Sequence, residues 1–156
     1  MTPGAARVPG LRIAVLHGPN LNLLGVREPS IYGRRTLTEI DARLNQVCHE
    51  LGVELETAQY NGEGQLIDAV HSWGGGRVSG ALVNAGAYTH TSLALRDALA
   101  GVAVPFVEVH LSNIFARERA RRISQLAPVA LGLVCGFGAE SYEIALRGLI
   151  SHLASA

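Results

Sequence analysis

Short continuous apolar runs alternate with segments whose apolar positions recur every three or four residues, from Arg12 to near the end of the chain. Residues 12–16 (RIAVL) and 79–83 (SGALV) read as strands, the latter apolar enough to be buried on both faces. Residues 53–59 (VELETAQ) begin by alternating, which marks a half-exposed edge strand. Residues 102–109 and 129–134 complete the strands, with Pro105 placed where its missing N–H does no harm. Between the first two strands in sequence, Leu37, Ile40, Leu44, Val47, Cys48 and Leu51 share one helical face. Thr36 and Glu39 match a capping box at the start of that helix, and Gly52 supplies its stop. Further helices are expected over 65–73, 92–100, 117–126 and 139–153. In the first of these, Leu66, Ile67, Val70 and Trp73 point inward. Strands alternating with helices predict a three-layer α/β fold with a parallel sheet and right-handed crossovers.

An edge position for the second strand selects the flavodoxin-like order 2-1-3-4-5, with helices on both faces. One stretch breaks the alternation. Residues 17–35 (HGPNLNLLGVREPSIYGRR) are too irregular for a helix and long for a connection, which points to function or disorder. Leu21, Leu23, Leu24, Val26 and Ile31 are apolar enough to hold the loop in order. The polar remainder, Asn20, Arg27, Glu28, Tyr32, Arg34 and Arg35, gives it the character of an active-site lid. Residues 1–10 lack the apolar middle of a signal peptide and read as a disordered tail, leaving 11–156 as one domain.

Composition narrows the chemistry. The chain is 48% hydrophobic and 17% charged, with zero formal net charge. That gives no electrostatic reason to expect nucleic acid or a membrane as a partner. No apolar run approaches the roughly 20 residues of a membrane span. Cys48 and Cys135 lie inside apolar patterns and read as core thiols of a cytoplasmic protein. All 13 basic residues are arginine. The absence of lysine excludes a Schiff-base mechanism and a Walker phosphate loop.

Ligands of open parallel sheets sit outside the carboxyl ends of the strands, at the switch point of the topology. The first strand ends in His17, Asn20 and the lid; the third in Asn84, Tyr88 and His90; the fourth in Glu108, His110, Leu111 and Ser112. Taken alone, a loop tyrosine is more often a surface residue than a base. A cation beside a phenol favours the phenolate, and a tyrosine placed among arginines can act as a general base. Glu108 and His110 are two apart on a strand and share a face, where a carboxylate can orient an imidazole. His49, His71 and His152 fall on helices and read as surface residues. Backbone amides of Leu111 and Ser112 at an expected helix start can attract an anion. Arg117, Arg119, Arg121 and Arg122 follow, either as a solvated face or with one member reaching a substrate. No set of His, Cys, Asp or Glu has metal-ligand spacing. Gly136, Phe137 and Gly138 begin a dinucleotide fingerprint, but Ser141 replaces its third glycine. A non-catalytic nucleotide- or flavin-binding module on the same fold remains the alternative, and a structural assembly protein is a further one.

GPNLNLLGVREPSIYG, NAGAYTHTS and EVHLSNIFARE resemble the three signature blocks of the type II 3-dehydroquinate dehydratases. The resemblance runs over nearly the whole chain. It implies a cofactor-free dehydration of 3-dehydroquinate to 3-dehydroshikimate, a step used in the shikimate pathway and in quinate breakdown. It also implies a homo-oligomer, a dodecamer built from trimers. By position, Tyr32 matches the base, with Arg27 tuning it and securing the lid. Asn20 matches the residue that stabilises an enolate through water. His110 matches the acid, with Glu108 behind it. Asn84, His90, Arg121 and the amides of Leu111 and Ser112 match substrate-holding groups. Asp97 matches an acidic residue that reaches a neighbouring subunit's site. Phe115 stands where the family often has histidine.

Overall fold

The computed structural model describes residues 6–156. Five parallel strands form one sheet in the order β2-β1-β3-β4-β5, as the alternating pattern predicts. They are β1 (Arg12–His17), β2 (Glu54–Gln59), β3 (Gly80–Asn84), β4 (Phe106–His110) and β5 (Gly132–Cys135). Period-two alternation in the central strands feeds two apolar layers. Ile13 and Val15 of β1 and Leu82 of β3 face α2 (Leu37–Leu51) and α6 (Glu140–Ala154). Ala14, Leu16, Ala81 and Val83 face α3 (Glu63–His71) and α5 (Leu93–Val102). β3 and β4 are buried throughout, whereas the edge strand β2 has no fully buried residue.

Helix α2 forms as its sequence dictates. Thr36 Oγ1 accepts the Glu39 N–H at 3.2 Å, and the Glu39 carboxylate accepts the Thr36 N–H at 3.3 Å. Gly52 closes it in the left-handed region at φ 73°. Of the expected tail, residues 1–5 lie outside the described residues. Val8 is tied down: its N–H donates to the Leu51 carbonyl at 2.7 Å and its side chain packs on the core.

Four expectations are corrected. Residues 117–126 are not an α-helix; short 3-10 turns occupy Ile114–Ala116, Arg119–Arg121 and Ala127–Val129 instead. The backbone groups that a helix would use are taken elsewhere. The Arg117 carbonyl accepts from Arg122 Nε at 2.6 Å, and the Ile123 carbonyl from His90 Nδ1 at 2.7 Å. The Gln125 N–H donates to the Thr89 carbonyl at 2.7 Å. The N–H groups of Leu126 and Ala127 go to Ser124 Oγ. Second, α5 runs past Gly101 to Val102 and is capped by Ala103 at φ 59°, so β4 begins only at Phe106, just after Pro105. Third, β5 starts at Gly132, because Ala127–Val129 turns first. Fourth, the segments expected as loops carry single helical turns, α1 (Pro29–Tyr32) and α4 (Tyr88–Thr91).

Candidate active site

The carboxyl ends of β1, β3 and β4 meet because of register. His17 pairs with Asn84, and Val83 with Glu108. After His17 the chain crosses the end of β3 at very close range. The Gly18 N–H donates to the Asn84 carbonyl at 2.7 Å, and a Cβ on Gly18 would lie 2.5 Å from the Ala85 carbonyl carbon and oxygen. Only glycine fits that crossing. Asn20 then sits in the left-handed region at φ 68°, its N–H donating to Asn61 Oδ1 at 3.1 Å. Asn61 also accepts from Gln59 and, through its carbonyl, from Tyr88 Oη, so the turn after β2 anchors the start of the lid. Nothing in the sequence pattern singled out Asn61 for this.

The lid folds back so that α1 presents Tyr32 to a cleft over these strand ends. Asn20, Arg27, Tyr32, Asn84, His90 and His110 line that cleft. Leu111, Ser112 and Arg121 line it as well. Nine of the expected site residues thus share one wall or another of the same space. Two do not. Glu108 lies behind His110, fully buried. Asp97 is exposed on α5 and does not line the cleft of its own chain. The helix expected to follow Ser112 is a single 3-10 turn, with Asn113 Oδ1 accepting the Phe115 N–H at 3.1 Å. A full helix dipole is therefore absent behind the Leu111 and Ser112 amides.

Two guanidinium groups face the Tyr32 ring. The Arg27 Cζ is 5.1 Å from its centroid and the Arg117 Cζ 5.4 Å. Arg117 Nη1 donates to the Tyr32 hydroxyl at 2.8 Å. Composition marked Arg117 only as one of four clustered arginines; the structure picks it out. Arg121 is held by Glu118 at 2.6 Å while still reaching the cleft.

His110 and Glu108 are paired as their spacing on one strand face predicts. His110 Nε2 is 3.2 Å from Glu108 Oε1, close but off the line of a good hydrogen bond, since Nε2 and Glu108 Oε2 have no hydrogen-bond partner. Oε1 is heavily used: Ser124 Oγ donates to it at 2.6 Å, and Thr89 Oγ1 donates as well. Burial pushes the Glu108 carboxyl up. The interactions with His110, Ser124 and Thr89 outweigh burial and hold it below the usual carboxylate range. The His90 ring stacks over His110 at 6.5 Å between centroids, with its Nδ1–H donating to the Ile123 carbonyl.

Among the described residues, no group of three or more His, Cys, Asp or Glu could hold a metal ion. No helix among them is long and apolar enough to cross a membrane. The Gly136–Gly138 turn is folded against the segment after β4, with the Gly138 N–H on the Leu111 carbonyl at 2.9 Å. Cys48 is buried and its thiol is pushed up to about 11 by that burial; Cys135 is half-buried.

An arginine-flanked tyrosine and a carboxylate-backed histidine lining one cleft are groups that can take up and return protons. Known proteins resemble this chain in sequence and fold. The family model described as Dehydroquinase class II matches residues 11–150. A 3-dehydroquinate dehydratase of Gemmatimonas aurantiaca is 61% identical, covering 90% of this chain and 92% of its own length. One from a Synechococcus is 60% identical, over 92% and 97%. The crystal structure of a type II dehydroquinase from Butyrivibrio crossotus superimposes with a TM-score of 0.87 at 41% identity, covering 89% of this chain and 97% of that one. Sequence, fold and the family model thus agree that this chain belongs to the class II dehydroquinases.

Proposed function

We propose that this protein is a hydro-lyase that dehydrates 3-dehydroquinate to 3-dehydroshikimate through an enolate, with no metal or organic cofactor. Relatives at 54–61% identity bear the name of that activity. Tyr32 removes a proton from the carbon beside the ketone. The resulting enolate needs fixed donors in a site from which water is excluded. Asn20 acts there through a water molecule, and closure of the lid excludes bulk solvent. His110 then protonates the departing hydroxyl, with the Glu108 carboxylate holding the imidazole. Asn84, His90, Arg121 and the amides of Leu111 and Ser112 hold the substrate's oxygens.

The observation that carries this reading is the Tyr32 hydroxyl, 2.8 Å from Arg117 Nη1 in the same cleft as His110. Arg117 puts positive charge beside the hydroxyl, where a phenolate's negative charge would develop, and Arg27 puts more over the ring. Tyr32→Phe keeps the ring and removes only the hydroxyl. Its kcat, followed by enone absorbance, should fall by about 10²–10⁴-fold, with substrate binding retained. Near-normal turnover would take Tyr32 out of the mechanism. Loss of wild-type turnover on adding a metal chelator would overturn the metal-free part.

The same reading extends to assembly into trimers and a dodecamer, in which Asp97 serves a neighbouring copy. Asp97 and Leu93 are both exposed on α5, the leucine at 59%.

A further inference from the structure

Four side chains form a single file of hydrogen bonds running from the cleft wall back toward the surface. Asn84 Nδ2 lies 3.0 Å from Tyr142 Oη. Tyr142 Oη lies 2.8 Å from His17 Nδ1, and His17 Nε2 lies 2.8 Å from Asp41 Oδ1. His17 and Tyr142 are fully buried, and Asn84 nearly so. Only Asp41, on α2, is partly exposed. None of His17, Tyr142 and Asp41 lines the cleft, and the proposed chemistry does not use them.

The direction of every bond follows from the two ends. The Gly86 backbone N–H is a donor that cannot be reversed, and it meets Asn84 Oδ1 at 3.2 Å. The amide NH2 therefore faces Tyr142, whose oxygen accepts. The Tyr142 proton then goes to His17 Nδ1, and the imidazole carries its proton on Nε2. At the far end, the Asp41 carboxylate can only accept, which demands that same tautomer. A second ring proton would aim two donors at Tyr142 Oη and leave the phenol's own proton without an acceptor in a buried site. Burial pushes the Tyr142 phenol far above its ordinary range, so the phenol keeps that proton.

The Asn84 amide has two N–H groups, and Tyr142 takes one. Asn84 lines the cleft, so the other is available to a ligand. We infer that Asp41, His17 and Tyr142 are positioning residues, which together with the Gly86 N–H fix the Asn84 amide so that it presents an N–H donor to an oxygen of the bound substrate. The lock rests on the dehydratase reading for the identity of that substrate alone. Without the Tyr142 bond the Gly86 N–H alone holds the amide, by its oxygen, and the NH2 end loses the partner that aims its second N–H into the cleft. That fault lies in binding, and a contact made equally in ground and transition states shows in KM.

Two measurements test this. Nitrogen-15 NMR of the His17 ring in the wild-type protein should show one tautomer, protonated on Nε2. Tyr142→Phe, checked for folding by circular dichroism, should raise KM for 3-dehydroquinate about tenfold while kcat changes by less than about threefold. A ring protonated on Nδ1 or on both nitrogens overturns the proposed chain, whether or not the variant folds. A folded Tyr142→Phe protein with unchanged KM, or with a loss confined to kcat, overturns the positioning role. Wild-type protein that fails to dehydrate 3-dehydroquinate overturns the dehydratase reading instead, and the tautomer still decides the chain.

Discussion

Glu108 is the residue whose surroundings most constrain the site. Its folded carboxyl lies below the ordinary range: burial pushes it up, and the nearby His110 ring with the hydroxyl bonds from Ser124 and Thr89 outweighs that. In the unfolded chain the same group returns to its ordinary value near ~4.3. The folded state thus binds this proton more weakly than the unfolded state does. The interaction contributes stability above the unfolded value, and that contribution is lost as pH falls through the folded one. Glu108→Gln removes this titration while keeping the side chain's size. Its melting temperature at neutral pH should lie below that of wild type, and the gap should close below about pH 4.3. Melting curves that stay parallel on acidification would contradict this. Glu56 and Glu143 are also held low by arginines, and Glu118 by its own backbone N–H and then Arg121, but all three are common to wild type and variant. The Glu108–His110 pair was legible because two-residue spacing on a strand fixes a shared face. Thr89 and Ser124 were not, since their hydroxyls arrive from separate turns with no periodic pattern to mark them. Arg117 was hidden among its neighbours for the same reason: which arginine reaches Tyr32 depends on the path of residues 114–123.

At the scale of elements, the crossing of the chain after β1 over the end of β3 does most to shape the cleft. Gly18 is not in a left-handed conformation, so its requirement is purely one of space. A methyl there meets the Ala85 backbone, which cannot swing aside as a side chain can. Gly18→Ala should destabilise the fold by about 1–3 kcal/mol, and it should shift Asn84, whose carbonyl accepts the Gly18 N–H. Urea unfolding and turnover check the two effects; an unchanged midpoint would mean the strands part more easily than their close packing implies. Helix α2 was readable to within a residue because its cap is local, Thr36 and Glu39 being three apart. The segment expected as a helix over 117–126 failed because its backbone groups are claimed by Thr89, His90 and the side chains of Arg122 and Ser124. Those partners are distant in sequence or compete locally with a helix, and helical spacing carries no record of them. The left-handed cap at Ala103 likewise falls on a residue that gives no signal of it.

At the scale of the whole molecule, the polar ends of three adjacent strands gather the candidate site, and most of the residues expected there from that topology line one cleft. Asp97 is an exception, because the role proposed for it depends on other copies of the chain. It is exposed on α5 and absent from the lining of its own cleft. If it serves a neighbour, a site lesioned at Asp97 and a site lesioned at Tyr32 can complement each other. A subunit carrying Asp97→Asn keeps its own Tyr32, and a Tyr32→Phe neighbour supplies the missing carboxylate. Equal amounts of the two inactive proteins, unfolded and refolded together, should regain about a quarter of wild-type turnover under random cyclic assembly. Refolding each alone should regain none. If Asp97 acts within its own chain, every subunit in the mixture carries a lesion, and the mixture stays as inactive as its parts. Sedimentation of the refolded mixture shows whether the copies assembled, so a silent mixture of assembled protein places Asp97 outside every neighbouring site.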